Sequence, residues 1–273
     1  MSTPDSETIL AVLAERTGAE ACLDAAYHAS RALVDPRIVA LHVLVDPITT
    51  IIPSEEILTR EEERRMWRAE AHEAQALKAV YEDWRQLHSG VCSEWREVVG
   101  TEAATVVGYA DLAVLLVIAL SGEQALGQAR AAFSAALFRS HRPVLMVPGR
   151  HQPRPVRRIV IGWKDSAVSR DAIRAAALWL RQAQDVQIVS VGAVEQGELA
   201  EADQLLAELG VSATTRLVPD DGASPGERLL EAAEGADWLV MGAYRHRRFV
   251  EWMFGGVTET VLDQANLPVF MVH

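Results

Sequence analysis

Cysteine is scarce: Cys22 and Cys92 are the only two in 273 residues, far apart and in no CxxC pair. That excludes a disulfide framework and a thiolate zinc site, and two free thiols suit a reducing compartment. Positive charge is short as well. The net charge is −12, and counting Lys and Arg against Asp and Glu gives −7 over residues 1–150 and −5 over 151–273. Neither half is a basic domain, so general nucleic-acid binding is disfavoured. No run of about 18 apolar residues occurs that could span a membrane. The opening MSTPDSET has neither the charged nor the apolar region of a signal peptide. A soluble, cytoplasmic protein is the expectation. The eight histidines are scattered, with no ligand pair beside a cysteine or carboxylate, so no metal site is expected. No Ser–His–Asp or Cys–His order stands out, and no catalytic residue is assigned.

What is present is a globular composition, 49% hydrophobic and 23% charged. Short apolar runs alternate with helical patterns along the whole chain. Strands are expected at Ile9–Leu13, Ile38–Leu44, Val91–Val98, Leu112–Ile118 and Val144–Val147. Helices are expected at 18–33, with Thr17 and Glu20 as a capping box, and at 55–88, 101–109 and 126–140. A turn-rich basic linker, Pro148 to Pro155, follows. The pattern then restarts: strands at Ile159–Trp163, Val186–Val191, Ser212–Val218, Ala236–Gly242 and Val269–Val272. Helices fall between them, at 166–182, at 199–209, from Ser224 with Pro225 at its first position, and from Gly255 to near Asn266.

The restart is a repeat. Ala25-Ala26 matches Ala175-Ala176, Ala110-Asp111 matches Ala236-Asp237, and Pro143-Val-Leu-Met-Val147 matches Pro268-Val-Phe-Met-Val272. A repeat of this length is a duplicated domain. Each copy alternates strand and helix, which predicts a parallel α/β sheet with helices on both faces, in domains at 1–148 and 156–273. The two domains are expected to pack face to face as a pseudo-two-fold pair, with their closing strands at the seam, because an apolar edge strand needs covering. The long helix at 55–88 has a counterpart about half as long, so Trp67 or Trp84 is expected to cover an apolar patch on the other domain or on a second chain.

The last thirty-odd residues carry the chemistry. An apolar strand ends in Gly242, a basic loop Arg245-His246-Arg247-Arg248 follows, and Gly255-Gly256-Val257-Thr258 opens a helix. A helix N-terminus led by glycine offers free backbone N–H groups and a partial positive charge to an anion. The same glycines also suit a turn that binds nothing, and the basic run also suits a solvated loop. The spacing of Gly242 and Gly255, with Thr258 behind them, resembles the C-terminal motif of universal stress proteins. Arg245 stands where that motif has its second glycine, and Gly256 where it has serine or threonine.

The resemblance implies two doubly wound five-stranded domains, Rossmann-like and similar to the adenine-nucleotide alpha hydrolases. It implies a nucleotide site made of Gly162, Lys164, Ser166, Gly242, Arg245, Gly255, Gly256 and Thr258, with ATP or a related nucleotide as the ligand class. Lys164 occupies the position of the ribose-facing aspartate and cannot accept a hydrogen bond. Ser166 doubles as an N-cap. In the first copy Ala14-Glu15-Arg16 and Arg130-Ala131-Ala132 stand at the corresponding places, so no phosphate site is expected there. A non-catalytic stress-response protein is the leading expectation, with a weak nucleotide or anion site in the second domain. Other expected partners are an unidentified protein and a second copy of the chain. The alternatives are an interaction protein that has lost nucleotide binding and an ATP-hydrolysing enzyme. Of the glycine-rich loop SGGxDS of ATP pyrophosphatases, only Asp165-Ser166 is present.

Overall fold

The computed structural model describes residues 7–45, 59–121, 127–192, 196–219, 221–243 and 256–273. The first half runs β1 (Thr8–Val12), α1 (Ala19–Ser30), β2 (Arg37–Val45), α2 (Arg60–Leu87) and β3 (Cys92–Gly100). It closes with α3 (Glu102–Ala110), β4 (Leu115–Leu120), α4 (Gln128–Arg139) and β5 (Val144–Pro148). The second half runs β6 (Arg158–Gly162), α5 (Ala167–Ala175), α6 (Ala177–Leu180), β7 (Asp185–Val191), α7 (Gln196–Glu208) and β8 (Thr214–Val218). It ends with α8 (Pro225–Ala232), β9 (Trp238–Gly242), α9 (Gly256–Gln264) and β10 (Val269–Val272).

All ten strands belong to one sheet, in the order β3-β2-β1-β4-β5-β10-β9-β6-β7-β8. Each half is parallel throughout, and the halves meet through a single antiparallel pair, with Phe270 opposite Leu145. The expected face-to-face packing is therefore corrected to edge-to-edge joining. The closing strands are short and apolar, so pairing their edges satisfies backbone groups that burial would otherwise leave bare.

Alternation along the strands divides the core into two layers. Leu10, Val12, Leu116 and Ile118 face Val106 and Ala110 of α3 and Phe133 of α4. Ile9, Ala11, Leu115 and Val117 face Cys22 and Ala26 of α1 and Leu77 and Tyr81 of α2. Both layers run on into the second half without a break. Cys22 lies in the second layer, and burial pushes its thiol up to about 12.

At the seam Trp179, Trp238 and Phe270 form a ring cluster with centroids 5.5–6.1 Å apart. The Trp179 Nε1–H donates to the Ala29 carbonyl of α1 at 2.9 Å, which satisfies a buried indole across the two halves. The linker is held by Asp237, which is only 7% exposed. Its carboxylate accepts the backbone N–H groups of Arg157 and Arg158, both at 2.8 Å, and pairs with the Arg154 guanidinium.

Local expectations fail at two helix starts and one helix interior. The capping box predicted at Thr17 and Glu20 is absent. Gly18 caps α1 at φ 88° with no side-chain hydrogen bond, because a Cβ there would lie 2.8 Å from the Ala119 Cβ. The long helix starts at Arg60 and carries a capping box of its own, Thr59 with Glu62. The start of α8 is as expected, with Ser224 at the N-cap and Pro225 first in the helix, although the Ser224 hydroxyl faces the Thr260 hydroxyl at 3.5 Å and makes no cap bond to the backbone. The helix expected at 166–182 breaks at Ala176 into α5 and α6. Trp84 is buried, but within its own half: Nε1–H donates to Asp24 Oδ1 at 2.9 Å and its ring stacks on His88.

Candidate functional site

In each half the strand order reverses beside the first strand, between β1 and β4 and between β6 and β9. A crevice at the carboxyl ends of such strands is where doubly wound sheets take ligands. In the second half this point is framed by Gly162 at the end of β6 and Gly242 at the end of β9, whose strands pair in parallel with Gly162 opposite Met241. Ser166 caps the helix that leaves the crevice, its hydroxyl oxygen accepting the Ser169 N–H at 3.1 Å.

The glycines differ in what they do. A Cβ on Gly242 would come within 2.9 Å of Val168 Cγ1 and 3.0 Å of the Ser169 backbone N, so this glycine lets α5 sit against the strand end. A Cβ on Gly162 would meet Leu229 at 2.8 Å, the same device toward α8. Gly256 opens the nine-residue helix α9, and a Cβ there would meet nothing within 4 Å. Packing explains the first two glycines and leaves the third unexplained. Gly242→Ala should therefore cost roughly 1–3 kcal/mol through overpacking, whereas Gly256→Ala should leave stability unchanged or slightly raised through helix propensity. Chemical denaturation of both variants checks this; equal losses would show that Gly256 also serves packing.

Lys164 is exposed, while its neighbour Asp165 is engaged by Arg170, which also donates to Glu201 Oε1 at 2.7 Å and lies over the Trp163 ring. Asp165 is thus tied to a residue of α5. Thr258 is buried, 1% exposed, in the first turn of α9, and Thr260 returns its hydroxyl to the Gly256 carbonyl at 2.9 Å. Arg245 and Gly255 lie outside the described residues. Gly162, Ser166 and Gly242 come together at the switch point by strand pairing and helix capping.

The first half fills its own switch point. Gly18 packs on Ala119 and on the Gly149 Cα, and a Cβ on Gly149 would lie 2.4 Å from Ser121 Oγ. The Gly149 N–H donates to the Leu120 carbonyl at 2.8 Å, closing the end of β4 with backbone of the chain itself. Sequence reasoning missed Glu102, at the start of α3. It is 5% exposed, and among the described residues neither carboxylate oxygen has a hydrogen-bond partner. Burial above all, then the charges of Glu70 and Glu15, pushes it up to about 8. A single glutamate after a threonine reads as a helix-start residue, so no sequence signal marks it. Among the described residues no group of three His, Cys, Asp or Glu side chains is arranged for a metal. Nor is any helix among them long and apolar enough to cross a membrane.

A sequence profile described as the Universal stress protein family matches residues 192–273. None of the curated proteins matches the sequence. Among solved structures, a universal stress protein from Archaeoglobus fulgidus aligns over 97% of this chain and 95% of its own, at 14% identity and a TM-score of 0.68. A Pseudomonas aeruginosa protein provisionally assigned to the same family aligns over 97% and 92%, at 16% identity and a TM-score of 0.58. At these identities the structural likeness establishes the fold.

Proposed function

We propose, on the premise that residues 192–273 form a universal stress protein domain, that the chain is a non-catalytic, cytoplasmic stress-response protein. Its second half takes a simple anion at the start of α9 and nucleotide weakly or not at all. The observation that supports an anion is Gly256, a glycine that no packing contact with a described residue demands, at the first position of α9. Against a nucleotide stand Lys164, which supplies no acceptor for a ribose hydroxyl, and Asp165, which Arg170 engages. Arg245 puts a long cationic side chain at a sequence position where the family motif has glycine, which favours a simple anion over a nucleotide phosphate chain. The first half serves as a packing partner, its own crevice being closed by Gly18, Gly149 and Ser121.

Calorimetric titration separates these ligands. Inorganic phosphate should bind saturably, and Mg·ATP should bind with Kd weaker than about 1 mM, equivalent to ~4 kcal/mol. Arg245→Gly should gain ATP affinity, and Gly256→Ala should lose phosphate affinity. A tight one-to-one ATP complex with the unaltered chain would refute the proposal. ATP turnover abolished by Ser166→Ala would instead favour an enzyme.

A further inference from the structure

At the opposite end of the strands, where they begin, the two halves leave a half-open cleft of about 330 Å³. Its walls are Tyr27, His28, Arg31 and Ala32 at the end of α1, Pro155 and Val156 of the linker, and Trp179 and Gln182 of the second half. Neither half could form it alone.

We propose that this cleft is a binding site for a small aromatic carboxylate. Its shape and apolar lining come from the Tyr27 ring, Ala32, Pro155 and Val156, which suit a flat apolar body. Its charge comes from Arg31. A helix C-terminus would ordinarily oppose an anion, but here the terminal carbonyls of α1 are occupied. Ala29 O accepts Trp179 Nε1–H at 2.9 Å and the backbone N–H of Ala32 at 3.3 Å, and Ala32 O accepts Gln182 Nε2–H at 3.1 Å. The nearby Asp24 carboxylate is likewise engaged, by Trp84 Nε1–H at 2.9 Å, with His88 at 3.9 Å. Burial first, then His88 and Arg31, lowers the proton affinity of His28 against the opposing pull of Asp24 and the Pro153 backbone. The Arg31 guanidinium, exposed and in no ion pair with a described residue, is then the charge that a ligand meets. A planar guanidinium holds a carboxylate through two parallel N–H donors.

The probe is sodium benzoate, titrated into the full chain and followed by ligand-observed NMR and by calorimetry. Benzoate should saturate one site per chain, and Arg31→Gln should weaken it about ten-fold or more. Filling the cleft by Ala32→Phe should abolish binding in a chain whose thermal unfolding remains cooperative. Benzylamine, of the same shape and opposite charge, should not bind there. Inorganic phosphate should not compete, which separates this site from the one proposed at α9. Failure of benzoate to saturate, equal binding of benzylamine, or indifference to Arg31→Gln would each overturn the assignment.

Discussion

Asp237→Ala should lower the unfolding free energy by roughly 3–5 kcal/mol. The carboxylate is 8% exposed and accepts two backbone N–H groups at 2.8 Å. Its removal leaves two part-buried donors without their acceptor, at up to about 1–3 kcal/mol each. The Arg154 ion pair adds little to this, because that side chain is 58% exposed and regains water when its partner is lost. Asp237→Asn retains one acceptor oxygen and should lose about half as much. The control is Asp111, the repeat equivalent, whose side chain is 88% exposed; Asp111→Ala should fall within about 0.5 kcal/mol of the unaltered chain. Urea denaturation midpoints decide the matter. Equal losses at 237 and 111 would mean that the linker clamp contributes nothing.

Stability should also fall as pH rises from the ordinary glutamate value of 4.5 to about 8, because of Glu102. Below 4.5 the carboxyl is protonated in both folded and unfolded chains and has no effect. Between the two values the unfolded chain ionises while the folded chain keeps its proton, so each added pH unit removes ~1.4 kcal/mol. Above about 8 the folded carboxylate is charged as well and the loss levels off. Across the window the loss is about 5 kcal/mol, an upper figure because a buried site relaxes and admits water. Glu102→Gln cannot ionise and should flatten this slope. Denaturation at several pH values between 5 and 9 measures it, and parallel curves for the two chains would refute the assignment. The charges bearing on Glu102, those of Glu70 and Glu15, are both acidic and deepen the effect.

Asp111 and Asp237 show where sequence reasoning stops. They sit at matched positions of the repeat, yet one faces water and the other holds the linker. Only the second has a polypeptide strand laid beside it, and the match itself cannot tell them apart. Glu102 is similar: it is buried at a helix start, and the acidic groups that act on it, Glu70 in α2 and Glu15 after β1, are remote in sequence. Trp84 was expected to cover another domain and instead closes its own, since α1 presents Asp24 to its indole. At the site, Gly242 is picked out by the motif spacing, and Gly162 and Ser166 by their place at the exit of the first strand of the second copy. That two of the glycines answer to Val168 and Leu229, and Gly256 to nothing, required coordinates.

The order of strands and helices, the duplication, and the parallel pairing within each half follow from the sequence alone, because apolar periodicity and turn chemistry act over a few residues. The tertiary structure decided how the halves join, edge to edge through β5 and β10, and where buried polar groups find partners. Those outcomes depend on which surfaces remain uncovered after each half has folded, and uncovered surface is a property of the whole chain.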